Sequence, residues 1–293
     1  MSLQPPASAA ELRARAETAG LHLPGLILAA EQLAAQVSPG AHGLRRAGPG
    51  EDFWQYRPAS SSDGLRAIDW RRSARSDQEF VRDREAQTAQ TAAIWVSGGQ
   101  GMAFSGAPDR ATKAERARLL ALALGMLMLR GGERVGLLGQ SVRSGRLQAE
   151  RLAEALTAAP AADADADAPD PGALRPHQRV VLIADFLARP DWLPGFLAQA
   201  AGLGTTGVIL QLLDPDEESF PYHGAVMFRS QSGALRHESR DAGGLRGAYL
   251  ARLAERRDWL AAQADAAGWL VAHASTGDAP AGSLTALWQM MGR

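Results

Sequence analysis

The run Arg179-Val180-Val181-Leu182-Ile183-Ala184 constrains this chain more than any other segment. Its apolar side chains follow one another without the alternation of a half-exposed strand, so both faces must be covered. Ala92-Ala93-Ile94-Trp95-Val96 reads the same way, and further strands are predicted over Arg134 to Gly139, Thr206 to Leu213 and Trp269 to Ala272. Between them lie helical patterns. Lys113 to Leu129 places Leu119, Leu120, Ala123, Leu124, Leu127 and Met128 on one stripe, and Gly131-Gly132 stops it. Other helices are predicted around Leu147 to Leu156, over Trp192 to Ala201, over Leu245 to Ala264 and over Ser283 to Met291. Continuous apolar strands alternating with amphipathic helices imply an α/β fold, a mostly parallel sheet with helices on both faces. Sites in such folds form beyond the carboxyl ends of the strands. Ser97-Gly98-Gly99-Gln100-Gly101 and Asp185 both fall there.

The rest of the chain is less regular. A helical region is predicted over Ala9 to Gln36, interrupted at Pro24-Gly25 into a short helical pair. Residues 38–65 are rich in glycine, serine and proline but hold Phe53, Trp54 and Tyr56, which suggests an irregular packed excursion rather than a linker. Val226 to Arg229 reads as an edge strand. Ala158 to Gly172 alternates Ala and Asp with prolines, and is read as a flexible surface insertion near 158–176. The domain expectation is an N-terminal region over 1–88 packed on an α/β domain over 89–293.

Bulk properties exclude several function classes. The 293 residues carry 31 basic and 32 acidic side chains, a formal net charge of -1, which argues against a general polyanion binder. Cysteine is absent, so disulfides, thiolate metal sites and thiol nucleophiles are excluded. No signal-peptide core opens the chain, and the apolar run Leu119 to Leu129 is too short to span a bilayer. A cytoplasmic protein without direct membrane insertion is expected. Lys113 is the only lysine, a skew read as coding bias.

Motifs for catalysis are thin. Ser97 to Gly101 follows a strand but matches neither G-x-G-x-x-G nor G-x-x-x-x-G-K-[ST], and Lys113 lies too far downstream for the phosphate-loop role. Ser97 has no G-x-S-x-G context, and His177, His223, His237 and His273 lack metal-ligand spacing. Asp185 follows the best core strand; with no partner carboxylate identifiable, holding its own loop is the favoured role.

The densest charge block is Arg66-Ala67-Ile68-Asp69-Trp70-Arg71-Arg72-Ser73-Ala74-Arg75, extended by Arg82 and Arg84. Arginine forks suit carboxylates, phosphates and aromatic faces. Asp69, Asp77, Glu79, Asp83 and Glu85 interleave with them and cancel the field a nucleic-acid surface would need. An internal ion-pair network and a partner-docking surface anchored by Trp70 both remain open.

This block, together with Gly50-Glu51-Asp52-Phe53-Trp54-Gln55-Tyr56-Arg57-Pro58 and Asp63-Gly64-Leu65, resembles the signature of DUF58 proteins. Gln55 stands where an arginine is common nearby, and Asp63-Gly64 reverses the usual order. Phe53, Tyr56, Arg66, Asp69, Trp70, Arg71, Ser73 and Arg75 carry the motif and are its candidate structural or docking residues. The resemblance implies a von Willebrand factor A-like fold and a non-enzymatic adaptor acting with a MoxR-type AAA+ ATPase on an unknown protein client. A nucleotide-dependent or hydrolytic enzyme, and a weak nucleic-acid binder using Arg66 to Arg84, are the alternatives. Metal-binding A domains hold Mg²⁺ with D-x-S-x-S and a later aspartate. Here those positions are Ser97, Gly99, Gly101 and Asp185, which implies a degenerate site with neither metal nor cofactor.

Overall fold

The computed structural model describes residues 9–37, 45–47, 53–60, 68–74, 78–87, 90–158, 167–229 and 236–292. They fall into two compact units, one of Met1–Pro39 with Thr91–Arg293 and one of Gly40–Gln90.

The large unit is built on five parallel strands in the order β10-β7-β6-β4-β5. These are β4 (Thr91–Val96), β5 (Arg134–Leu137), β6 (Arg179–Ala184), β7 (Thr206–Leu213) and β10 (Leu270–Ser275). The apolar run of β6 divides by the two-residue period of a strand. Val181 and Ile183 enter a core with α1 (Ala9–Gln36), α3 (Lys113–Arg130), α4 (Arg146–Thr157) and α8 (Pro280–Met291). Val180, Leu182 and Ala184 enter a second core with α5 (Trp192–Gly202) and α7 (Arg246–Ala266). Helices therefore cover both faces, and the fold is the von Willebrand factor A-like α/β architecture. Trp95, Trp192, Phe196 and Trp269 run through the second core edge to face, with centroids 5.4, 6.0 and 6.2 Å apart.

Three elements depart from expectation. Pro24 does not split α1, which is one helix over Ala9–Gln36. Proline deletes one backbone bond, but Leu23, Leu26, Ile27, Ala30, Leu33 and Ala34 all pack into the first core across it, and that burial outweighs the loss. Within 38–65, residues 45–47 and 53–58 are strands rather than an irregular excursion. β1 (Arg45–Ala47) and β2 (Phe53–Pro58) flank β3 (Phe80–Gln87) in an antiparallel sheet of the small unit. Val226–Arg229 (β8) does not edge the main sheet; it pairs antiparallel with β9 (Arg236–Ser239) in a separate hairpin. Among the described residues, no helix is long and apolar enough to cross a membrane.

Thr112 caps α3 in a reciprocal box with Glu115, and Gly131 ends it, with Gly132 at φ +80°. The turn that follows buries Glu133 to 4% exposure, with its Oε1 lacking a hydrogen-bond partner. Burial pushes its carboxyl from 4.5 to about 7, against the pull of Arg179. A carboxyl raised on folding stabilises the acidic side of its range, so stability should fall as pH rises from 4.5 to about 7. The fall should be about 2 kcal/mol, and denaturant melts at about pH 5 and about pH 8 should show it in the parent but not in E133Q.

Candidate functional site

The carboxyl ends of four strands bring Ser97, Asp185, Asp214 and Thr276 to one edge of the sheet, following β4, β6, β7 and β10 in turn. Lys113 enters this edge at the start of α3. Its ammonium donates to Asp185 Oδ2 at 2.9 Å and to Glu217 Oε1 at 2.6 Å, and the side chain is wholly buried. The Phe104 ring closes over it, with the centroid 5.8 Å away. Asp185 therefore has a specific partner. Its other oxygen accepts from the Leu187 amide at 3.2 Å, so it also holds its own loop.

Glu217 is supplied by α6 (Pro215–Ser219), a single turn that starts in a capping box. Its second oxygen accepts from the Asp214 amide at 2.9 Å, while Asp214 accepts from Asp216 N. Burial holds the Glu217 carboxyl above its ordinary range despite the Lys113 ammonium. Asp214 goes the other way. Burial raises it, but hydrogen bonds from the Asp216 and Gly106 amides and the Thr276 hydroxyl, with the Arg110 charge, outweigh that and lower its pKa. Arg110 bridges Asp214 and Asp216. Gly106 must be glycine for this approach, because a Cβ there would lie 2.3 Å from Asp216 Oδ2 and 2.7 Å from Asp214 Oδ1. Beneath the cluster, fully buried Gln211 donates to the Asp185 carbonyl at 3.0 Å and accepts from Arg257 at 3.2 Å.

The loop after β4 is occupied from a different direction. Asp167 accepts from the Ser97 hydroxyl, from the Gly98 amide at 3.0 Å and from the Gly99 amide at 3.0 Å. Ser97 and Gly99 thus face an anion, and Gly101 sits in a turn of 3-10 helix over Gln100–Ala103. Among the described residues, no group of three or more His, Cys, Asp or Glu side chains is placed to hold a metal ion.

In the small unit the arginine-rich signature divides in two. Asp69 caps α2 (Trp70–Ser73) by accepting from Arg72 N at 3.1 Å, and its other oxygen accepts from Tyr56 Oη at 3.2 Å. Ser73 donates to the Asp69 carbonyl at 2.9 Å and accepts from the Phe80 amide at 2.9 Å, tying the turn to β3. The Arg72 guanidinium lies over Tyr56 and Phe80, 4.7 and 5.4 Å from their centroids. Trp70 and Arg71 point away from this network; Trp70 is 56% exposed. Arg66, Arg75 and the Phe53 side chain lie outside the described residues.

Lys113, Glu217, Asp214, Arg110 and Gln211 were missed as site residues. One signal was visible: a lone lysine among arginines is a compact ammonium where a fork would not fit.

Two solved structures resemble the chain at a TM-score of 0.41. One is an aerotolerance-related membrane protein from Bacteroides fragilis carrying multiple mutations to serines, at 14% identity. The other is the conserved hypothetical protein BatB from Bacteroides thetaiotaomicron, at 13% identity. Each match covers 69% of this chain and 98% of the other. No curated protein matches the chain. The family model described as "Protein of unknown function DUF58" matches residues 55–258. That span takes in Tyr56, the Asp69 cap, Lys113 and Asp185, and over well more than half its length the chain belongs to the DUF58 family.

Proposed function

We propose that this chain is a non-enzymatic, cytoplasmic protein-interaction module that works with a MoxR-type AAA+ ATPase in assembling or activating client proteins. The observation that carries this reading is the Lys113 ammonium between Asp185 and Glu217. It supplies the positive charge at the sheet edge where a metal-dependent A domain holds its ion, so the metal position is degenerate and docking needs no divalent cation. The same ion pairs engage the carboxylates that a hydrolytic mechanism would use as base or acid. Trp70 and Arg71 supply an exposed anchor of the type enriched at hot spots, on a turn made rigid by Asp69 and Ser73.

The test is capture of a purified MoxR-type ATPase from the same genome by the immobilised chain. W70A with R71A should weaken binding at least about tenfold, with the circular dichroism melt unchanged. Chelating divalent ions in the absence of nucleotide should leave binding intact. A collapsed melt with no separable binding defect would assign these residues to the fold alone. Nucleotide hydrolysis by the purified chain would replace the adaptor reading with an enzymatic one.

A further inference from the structure

The loop after β4 receives a carboxylate with no cation taking part. Asp167 Oδ1 accepts from the Gly98 amide at 3.0 Å, and Oδ2 accepts from the Gly99 amide at 3.0 Å and from the Ser97 hydroxyl. Among the described residues no basic side chain forms an ion pair with Asp167. The donors are held by the sheet and its core. The Ser97 amide donates to the Ile183 carbonyl of β6 at 2.9 Å. The Gly99 carbonyl accepts from the amide of Met102 at 2.9 Å, and Met102 is packed in the first core. The Gly99 amide also donates to Ser97 Oγ at 3.2 Å, which leaves the hydroxyl proton for the carboxylate.

Asp167 has no such support. It lies 70 residues further along the chain, in a stretch outside any helix or strand. The cradle is thus prearranged and its occupant exchangeable. Ser97, Gly99 and Asp167 are half-buried and Gly98 is exposed, so a second carboxylate can reach the donors from solvent. Three neutral donors shared between two oxygens match a planar carboxylate. A phosphate dianion would find no cation there and no donor for its remaining oxygens. A tethered carboxylate acts at an effective concentration on the order of millimolar. A free carboxylate therefore displaces it poorly, and one carried on a surface that makes further contacts displaces it well.

We propose that the Ser97–Gly99 loop is a carboxylate receptor that the chain keeps filled with its own Asp167, an autoinhibitory plug displaced by an acidic side chain of a protein partner. The partner's part rests on the interaction-module reading; the receptor and its plug stand without it.

The experiment uses the full chain carrying D167A, with D163A and D165A added so that neither nearby aspartate of the sequence takes its place. Proton–nitrogen correlation spectra follow the Gly98 and Gly99 amides as acetate replaces chloride at constant ionic strength, and as the capped peptide acetyl-Ala-Asp-Ala-amide is added. Neither ligand should shift these amides saturably in the parent. Both should do so in the triple variant, and adding S97A should weaken both at least about tenfold. Absence of a saturable shift in the triple variant would overturn the receptor, as would phosphate binding as tightly as acetate. Acetate binding without peptide binding would close the cradle to side chains and overturn the plug. A parent that binds as tightly as the triple variant, or a triple variant that does not fold, would also overturn it, the latter by making Asp167 part of the fold. None of these shifts depends on capture of the ATPase, so failure of either reading is seen separately.

Discussion

Lys113→Met should destabilise the protein by about 3–5 kcal/mol near neutral pH, the cost of leaving buried charges without their partner. Methionine keeps most of the length and apolar stem, so packing changes little and the lost term is the ammonium. Asp185 and Glu217, with side chains each 12% exposed, would then face each other's charge without the ammonium between them, while the Leu187 and Asp214 amides still donate to them. The sign of the pH response follows from Glu217, whose carboxyl burial already holds above its ordinary range. Without Lys113 that rise must grow, so the variant should regain stability as pH falls and the carboxyls take up protons. Denaturant melts at about pH 5 and about pH 8 separate this from a packing defect, which would be equal at both. Adding D185N and E217Q to K113M should recover most of the loss. A K113M protein within about 1 kcal/mol of the parent at both pH values would remove the pair as a stabilising element.

The fold was largely legible because its evidence is local. The uninterrupted apolar run of β6 and the capped, glycine-terminated pattern of α3 each carry their own periodicity, and both appear where the pattern put them. Local signals also misled. Pro24 marks a break by its own chemistry, yet the packing of α1 on the core overrides it. β3 holds Phe80 and Val81 and then mostly charged residues, so no apolar alternation announced it; pairing with β1 and β2 defines it. The site was legible only in its positions. Asp185 was placed at the right edge, but Lys113 reaches it across 72 residues and Glu217 across 104. Such pairings depend on the strand order, which no single segment encodes. Asp167, filling the Ser97–Gly99 loop from 70 residues away, was hidden for the same reason.

Gly207→Ala should be nearly as damaging, about 3 kcal/mol, at the upper end for an added methyl in a packed core. A Cβ at this position of β7 would lie 2.2 Å from the Val180 carbonyl oxygen on β6 and 2.8 Å from the Trp269 indole. The indole cannot simply retreat. It is 1% exposed, donates to the Thr205 carbonyl at 3.2 Å and meets Phe196 edge to face. Nor can the carbonyl, which belongs to a strand bonded on both sides to β4 and β7. Two obstacles of different kind predict a partial rescue: G207A with W269L frees the indole space but leaves the backbone clash, so only part of the loss should return. Full rescue by W269L would place the whole cost in the indole. Because Gly207 lies at the amino end of the sheet and Lys113 at the carboxyl end, the two lesions should add in the double variant. The folded fraction of G207A should still bind whatever Trp70 and Arg71 bind, which makes it the control that separates lost stability from lost docking.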